Sequence, residues 1–271
     1  LVYIISTILL IVISFFLYKA NQNTKDIKIN KIQIPSKQHV HQSTLSILHL
    51  SDLHLENISI TPSELAVKLQ EEKPDIIALT GDFLDRKRTI PKLVPYLEVL
   101  QSMKPTHGIF AVLGNHDYVL HEENLVKLKD LLTQYGCHVM QNTSIPIKFK
   151  DQMINVIGID DYSTKRSDLQ LAYQNVQDGL NIVLTHDPNV VLEMDSYRFD
   201  YLLAGHFHGG QIRYPKAFHL VKMGKLPRLN MVKGLHIHND SPFYISEGLG
   251  QTGVNIRIGS RPEITLHDVA I

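Results

Sequence analysis

Three times in the first half of the chain an apolar run breaks at small and polar residues, and an amphipathic stretch follows. TLSILHL ends in SDLH, DIIALT ends in GD, and HGIFAVL ends in GNHD. The stretches between and after them, PSELAVKLQEEK, IPKLVPYLEVLQSM and ENLVKLKDLLTQYG, carry apolar residues at helical spacing. Pro62 with Thr61 or Ser63 marks the start of the first, and Gly136 stops the last. Strands alternating with helices predict a largely parallel or mixed sheet covered by helices. Two later apolar runs, NIVLTHD and YLLAGHFH, end the same way. IPIKFKDQMINVIGIDD predicts two strands joined by a turn at Lys150–Asp151–Gln152, followed by a helix over 167–177 and a short one at 189–194. Residues 213–240 are rich in Pro, Lys, Gly and His without a clear period and predict a long loop. After FYISEGLG, the runs IRIG and ITLHDV predict two closing strands.

Each polar cluster sits just past a strand-like run: Asp52 and His54, then Asp82, then Asn115, His116 and Asp117, then His186, and last His206 and His208. In open α/β sheets ligands bind outside the carboxyl ends of the strands, so five segments would bring these groups to one rim. Carboxylate, amide and neutral imidazole are ligands of divalent first-row metals. Two cations sharing a carboxylate would use nearly the whole set. Asp82 is the natural bridge, as the acidic residue at the end of its strand. Two such ions, about 3.5–4 Å apart, clamp a phosphate and lower the pKa of a shared water, which then attacks in line. A histidine outside the ligand set can protonate the leaving alkoxide. Gly81, Gly114, Gly205, Gly209 and Gly210 flank these residues and permit close approach. Taken singly, each cluster has an ordinary reading. Asp52 or Asp82 fits a turn, and GNHD fits a left-handed turn. Five coincidences at five strand ends are a different matter.

Composition narrows the partners. Lys+Arg and Asp+Glu both number 27, so there is no basic footprint for nucleic acid. The one cysteine, Cys137, rules out an internal disulfide framework and a Cys-rich zinc site, and reads as a small buried residue. No obligate protein partner is indicated. Residues 1–18, LVYIISTILLIVISFFLY, are uncharged and show no polar face. As a helix they would span about 27 Å, near the thickness of a bilayer core, which predicts a single-pass membrane anchor. Lys19, Lys25, Lys28, Lys31 and Lys37 follow it, and the positive-inside rule would put that side in the cytoplasm, although the preceding flank is not visible. Residues 19–43 read as a polar linker containing His39 and His41, and 44–271 as one domain. His49 falls inside the first strand, while His236 and His238 alternate on an extended segment and read as solvated. Arg86, Lys87 and Arg88 read as a solvated loop.

SDLH, GD, GNHD, THD and GHFHGG, in that order, resemble the five blocks of the calcineurin-like metallophosphoesterase superfamily. The likeness covers roughly residues 45–270. With the N-terminal apolar run and the tail SEGLGQTGVNIRIGSRPEITLHDV, the chain is similar to the membrane-anchored bacterial branch, which includes phosphodiesterases and nucleotide-sugar lipid pyrophosphatases. The resemblance implies a four-layer α/β/β/α sandwich preceded by one transmembrane helix. It implies that Asp52, His54 and His208 bind one metal and Asn115, His186 and His206 a second, with Asp82 bridging. His116 would be the general acid, held by Asp117. Glu247 stands where the branch more often has Arg or Asn. The expected activity is a metal-dependent phosphoric ester hydrolase acting through a dinuclear centre and a metal-bridging hydroxide. Phosphodiester, phosphomonoester or pyrophosphate bonds, including those of lipid-linked or envelope substrates, are its targets. Mixed nitrogen and oxygen donors suit two divalent ions per chain, Mn²⁺ first, with Fe or Zn²⁺ also accommodated. The rival is a catalytically silent scaffold of the same fold that binds a protein. Such a scaffold would be free to lose ligands, and this chain keeps the full set together with His116.

Overall fold

A computed structural model describes residues 1–35 and 43–271. The apolar N-terminal run forms one helix, α1 (Val2–Gln22), whose most apolar 18-residue window has a mean hydropathy of 2.2 and is 0% buried. It is therefore long and apolar enough to cross a membrane and is not a core helix. Only its end touches the domain, where Ala20 is buried and a 3₁₀ turn, Asn23–Lys25, buries Thr24. The stretch expected to be linker then forms a strand, β1 (Lys28–Ile34). It was hidden because most of its exposed positions are polar and one inward position is Asn30, whose side chain donates to Glu263 Oε2 at 2.7 Å. His39, His41 and Lys37 lie outside the described residues.

The repeats follow as expected: β2 (Thr44–Leu50), α2 (Pro62–Leu69), β3 (Ile76–Thr80), α3 (Ile90–Ser102), β4 (Ile109–Val112), α4 (Glu122–Gln134) and β5 (Cys137–Val139). Thr61 and Glu64 close a reciprocal capping box at the start of α2. Gly136 ends α4 at φ 80°, a conformation glycine adopts freely. β6 (Thr143–Phe149) and β7 (Gln152–Gly158) form the expected antiparallel hairpin, with Lys150 at φ 54° in the turn.

The expected helix over 167–177 is one turn, α5 (Leu169–Ala172), capped by Asp168. It cannot continue because the Asn155 carboxamide takes both backbone groups of Gln177. β8 (Leu180–Leu184) leads into a 3₁₀ segment, Pro188–Glu193, and then β9 (Tyr201–Ala204). The region expected to be one long loop, 213–240, contains a 3₁₀ turn at Phe218–Lys222, a short α6 (Lys225–Arg228) and an edge strand, β10 (Gly234–His238). β11 (Ser241–Ile245) and β12 (Glu263–Ala270) complete the chain. IRIG is not a strand, because only Ile258 is paired, in an isolated bridge to Ile212.

The strands make two six-stranded sheets, ordered β1-β12-β2-β3-β4-β5 and β10-β11-β9-β8-β7-β6. β2, β3, β4 and β5 are parallel, as are β7, β8, β9 and β11. Inner faces meet in one core, where Leu45, Ile47, Ile76 and Phe110 pack against Val156, Ile182, Tyr201 and Leu203. Leu48, Leu50, Ile77 and Leu79 point the other way and bury against α2, α3 and α4. Val183, Leu202 and Phe243 do the same beneath the 3₁₀ segment and α6. Strands covered on both faces read as nearly continuous apolar runs, and the result is the four-layer α/β/β/α sandwich.

Candidate active site

The carboxyl ends of β2, β3, β4, β8 and β9 open onto one place. The residues there depart from ordinary backbone geometry: φ is 50° at Asp52, 37° at His54, 53° at Asp82, 76° at His206 and 50° at His208. Non-glycine residues in this region cost about 1–3 kcal/mol each and persist where the surroundings over-determine them. Two glycines have a steric reason. A Cβ on Gly205 would collide with Ser51 Oγ and Asp52, and one on Gly81 with the backbone of Gly114.

The side chains converge in two sets. His208 Nε2 lies 3.4 Å from Asp52 Oδ1 and 3.2 Å from His54 Nε2. His186 Nε2 lies 3.1 Å from His206 Nδ1 and 3.2 Å from Asn115 Oδ1. One atom joins the sets: Asp82 Oδ2 is 3.1 Å from His186 Nε2 and 3.5 Å from His54 Nε2. Asp52, His54, Asp82 and His186 are all at most 1% exposed. Bonds at the back orient the rings. His186 Nδ1 donates to Thr80 O at 2.7 Å, and His208 Nδ1 donates to Gly250 O at 3.2 Å. His54 Nδ1 is 2.9 Å from Asp85 Oδ1. These partners hold the proton on Nδ1 and turn the Nε2 lone pair inward, the usual preparation of a metal-ligating histidine.

Charge follows the same plan. Burial opposes ionisation of Asp82, but His186 and His54 override it and hold the carboxyl well below its ordinary range. Burial also opposes protonation of His54 and His186, and the surrounding aspartates outweigh it, so both are raised. Their neighbours go the other way. Burial and the adjacent imidazole push His206 down to about 3, and His208 is lowered in the same manner. Each imidazole pair thus points two ring nitrogens at one another and calls for a single cation between them. Nitrogen, carboxylate and amide donors, gathered on two sides of one shared carboxylate, fit two divalent ions.

A sequence profile of the family described as calcineurin-like phosphoesterase matches residues 45–210, the span that carries all of these strand ends. The chain belongs to the calcineurin-like phosphoesterase family. It is 60% identical over 255 residues to an uncharacterized metallophosphoesterase, YkoQ, of Bacillus subtilis, covering 94% of each chain. It is 27% identical to the phosphodiesterase YaeI of Escherichia coli, covering 81% of this chain and 80% of YaeI. Similarity to the UDP-2,3-diacylglucosamine pyrophosphatase LpxG of Chlamydia trachomatis is 26% identity over 85% of each chain. This metallophosphoesterase is accordingly a phosphoric ester hydrolase.

The seven residues expected to be ligands stand together in the metallophosphoesterase site, and His116 stands beside them. Its partner differs from expectation. Among the described residues, the hydrogen bonds of the Asp117 carboxylate go to backbone groups and not to the His116 ring. Asp117 is buried, and accepts backbone N–H groups of Asp82, Phe83, Leu84 and Gly114, tying two strand-end loops together. Burial and the Asp82 carboxylate push it up to about 7. The group on His116 is Asp85, whose Oδ1 is 3.0 Å from Nδ1 while also holding His54. In the segment GDFLD, Asp85 was overlooked because it lies beyond the strand end. Burial lowers His116, but Asp85 and Asp82 outweigh it and raise the imidazole to about 9. Asp85→Asn is therefore expected to move the alkaline limb of the pH–rate profile to lower pH, because the protonated form of His116 is lost sooner. A pH–rate profile matching that of the unaltered chain would show that Asp85 does not position His116.

A second residue that sequence reasoning missed is Arg257, 0% exposed. Its guanidinium donates to Glu247 O and Gly250 O at 2.7 Å, to Ser260 Oγ at 2.9 Å and to Gly248 O at 3.1 Å. Gly250 O is the carbonyl that orients His208, so Arg257 fixes the loop behind one ligand. Its only sequence signal is a long cation among the apolar residues of IRIG. The Glu247 carboxylate packs against Gly209, next to His208, and accepts from Lys233 Nζ at 2.8 Å and from the Arg261 backbone at 3.2 Å.

Two of the cavities near this rim differ in lining. One of about 420 Å³ touches Asp85 but none of the seven expected ligands, and is lined by Glu56, Arg86, Arg88 and Lys92. The other, of about 340 Å³, touches His116, His206 and His208 and is otherwise mostly apolar, with Phe207, Leu220 and Val254 in its wall. Arg86, Lys87 and Arg88 are exposed, as expected of a solvated loop, and Arg86 and Arg88 also border the first cavity. His236 and His238 stay on β10, away from the ligands, near Lys233 O and Asp195 respectively. Cys137 is buried, and burial raises its thiol to about 12.

Proposed function

We propose that this chain is a membrane-anchored, dinuclear phosphodiesterase acting on amphiphilic phosphoesters. The observation that carries the reading is the position of Asp82 Oδ2, within 3.5 Å of one nitrogen from each donor set. Asp52, His54 and His208 would hold one ion, Asn115, His186 and His206 the other, with Asp82 common to both. Mn²⁺ suits this mixture first, with Fe or Zn²⁺ also compatible. Bound there, such ions supply Lewis acidity to the phosphoryl oxygens and lower the pKa of water to make a nucleophile at neutral pH.

The chain's own groups do the remainder. His116, which lines the apolar cavity, gives its proton to the leaving alkoxide, while Asp85 holds Nδ1. The back-side acceptors Thr80 O, Gly250 O and Asp85 keep the other imidazoles from turning. The substrate class rests on the flanks: beside Asp85 a cavity with Arg86, Arg88 and Lys92, and with Glu56, offers cations to an anionic head, and the apolar one beside His116 suits a chain or ring. Anchoring by α1 rests on its length, its hydropathy and its lack of burial.

The test is metal content and turnover of the full chain in detergent, with bis(p-nitrophenyl) phosphate as a general substrate and a lipid-linked phosphodiester as the specific one. About two ions per chain are expected. Asp82→Asn is expected to weaken metal retention by at least the 10–100-fold typical of a lost supporting group, and in both sites together. Full stoichiometry and rate in that variant would sink the bridging role. Equal preference for soluble and lipid-linked esters would sink the amphiphile reading.

A further inference from the structure

The segment Ile212–Leu229 combines two properties that rarely coincide on a soluble surface. Tyr214 is 85% exposed and Phe218 64%, and Ile212, Val221 and Leu229 are exposed as well. The same stretch holds Arg213, Lys216, Lys222, Lys225 and Arg228 with no acidic residue. Among the described residues, none of these five cations is paired with a carboxylate. Exposed apolar and aromatic groups mixed with cations are the signature of a segment lying in the interface of an anionic bilayer.

The placement of the segment agrees. The extended stretch 255–258 lies between it and the end of α1. On one side the Arg257 backbone donates to Ala20 O at 2.9 Å, and Asn21 and Asn23 donate to Asn255 O and Arg257 O, each at 2.8 Å. On the other, Ile258 N donates to Gln211 O at 2.8 Å and Arg213 N to Ile258 O at 2.7 Å. The segment therefore starts one extended stretch away from the point where the apolar helix leaves the domain. Its far end is pinned to Asn189, which donates to Met223 O at 2.8 Å and accepts from Leu226 N at 3.2 Å. Between these ends Ile212, Leu220 and Met223 wall the apolar cavity beside His206 and His208.

We infer that Ile212–Leu229 is a second membrane contact, seated in the headgroup region of an anionic leaflet beside α1, so that the apolar cavity opens at the lipid surface. This rests on the reading of α1 as the anchor. A lipid ester could then pass from the leaflet to the ligands without its apolar part crossing water. A soluble protein or a second copy of the chain is the competing occupant, and neither accounts for the apolar helix emerging alongside.

The chain contains no tryptophan, so a single introduced one is an unambiguous reporter. Full-length Phe218→Trp, Tyr214→Trp, Phe16→Trp and Ile237→Trp would be reconstituted in phosphatidylglycerol–phosphatidylcholine vesicles, with and without bromine on the acyl chains. Loss of fluorescence in brominated vesicles is expected for Phe16→Trp and for both segment reporters, but not for Ile237→Trp on β10. Quenching at position 16 without quenching at 214 or 218 overturns the inference and leaves the anchor standing. No quenching at any of the four overturns both. Quenching at 218 or 214 but not at 16 removes the anchor and overturns the inference as a second contact beside it. Equal quenching at 237 would mean indiscriminate adsorption and also overturns the inference.

Discussion

His116→Ala is expected to lower kcat by about 10²–10⁴-fold, the range for loss of a positioned general acid. Metal content should stay near that of the unaltered chain. A ring nitrogen of His116 lies within 4.8 Å of ligand atoms of His54 and Asp82, but the two proposed donor sets are complete without it. Its Nδ1 is engaged by Asp85 at 3.0 Å, and its side chain is 31% exposed, which leaves Nε2 open to a substrate. The effect should depend on the leaving group. An ester with an acidic alcohol, such as p-nitrophenol, needs little protonation and should lose less than one with an alkyl alcohol. Metal analysis and kcat for both esters check this. Loss of metal along with activity would make His116 a ligand. An equal loss for both esters would remove its role as acid.

Arg257→Met is expected to destabilise the chain by about 3–5 kcal/mol, because the carbonyls of Glu247 and Arg261 lose their buried donor. In a domain of this size that corresponds to a fall in Tm of roughly 10 °C. The loss should reach the chemistry through Gly250 O, which the guanidinium and His208 Nδ1 share. Metal affinity should fall even in protein that remains folded at low temperature. Arg257→Lys, too short to span several carbonyls and lacking the planar fork, should recover little. Thermal melts and metal titrations at a temperature well below the transition separate the two effects. An unchanged melting temperature would mean the loop is held by other bonds. A lowered one with unchanged metal affinity would confine Arg257 to folding.

Much of the site was legible in the chain because its logic is local. A parallel strand buried on both faces must be an apolar run, and its carboxyl end is where backbone leaves the sheet, so Asp52, Asp82, Asn115, His186 and His206 announce themselves by position alone. The hairpin at Lys150 and the caps at Thr61 and Gly136 are likewise settled by neighbours in sequence. Where local signals failed, a distant group had intervened. The Asn155 side chain cut short the helix after Ala172, and Glu263 made an inward asparagine acceptable in β1.

The sequence by itself determined the layered α/β fold, the apolar helix and the set of residues able to bind metal. Tertiary structure alone decided what those residues touch. Asp117 neighbours His116 in the chain, yet its carboxylate points to the backbone of the loop after β3, while Asp85, 31 positions from His54, supports both His54 and His116. The reason is direction. The bonds along a chain fix which groups are near, but the turn of each backbone at a strand end, here driven to positive φ at five of the proposed ligands, decides where a side chain aims.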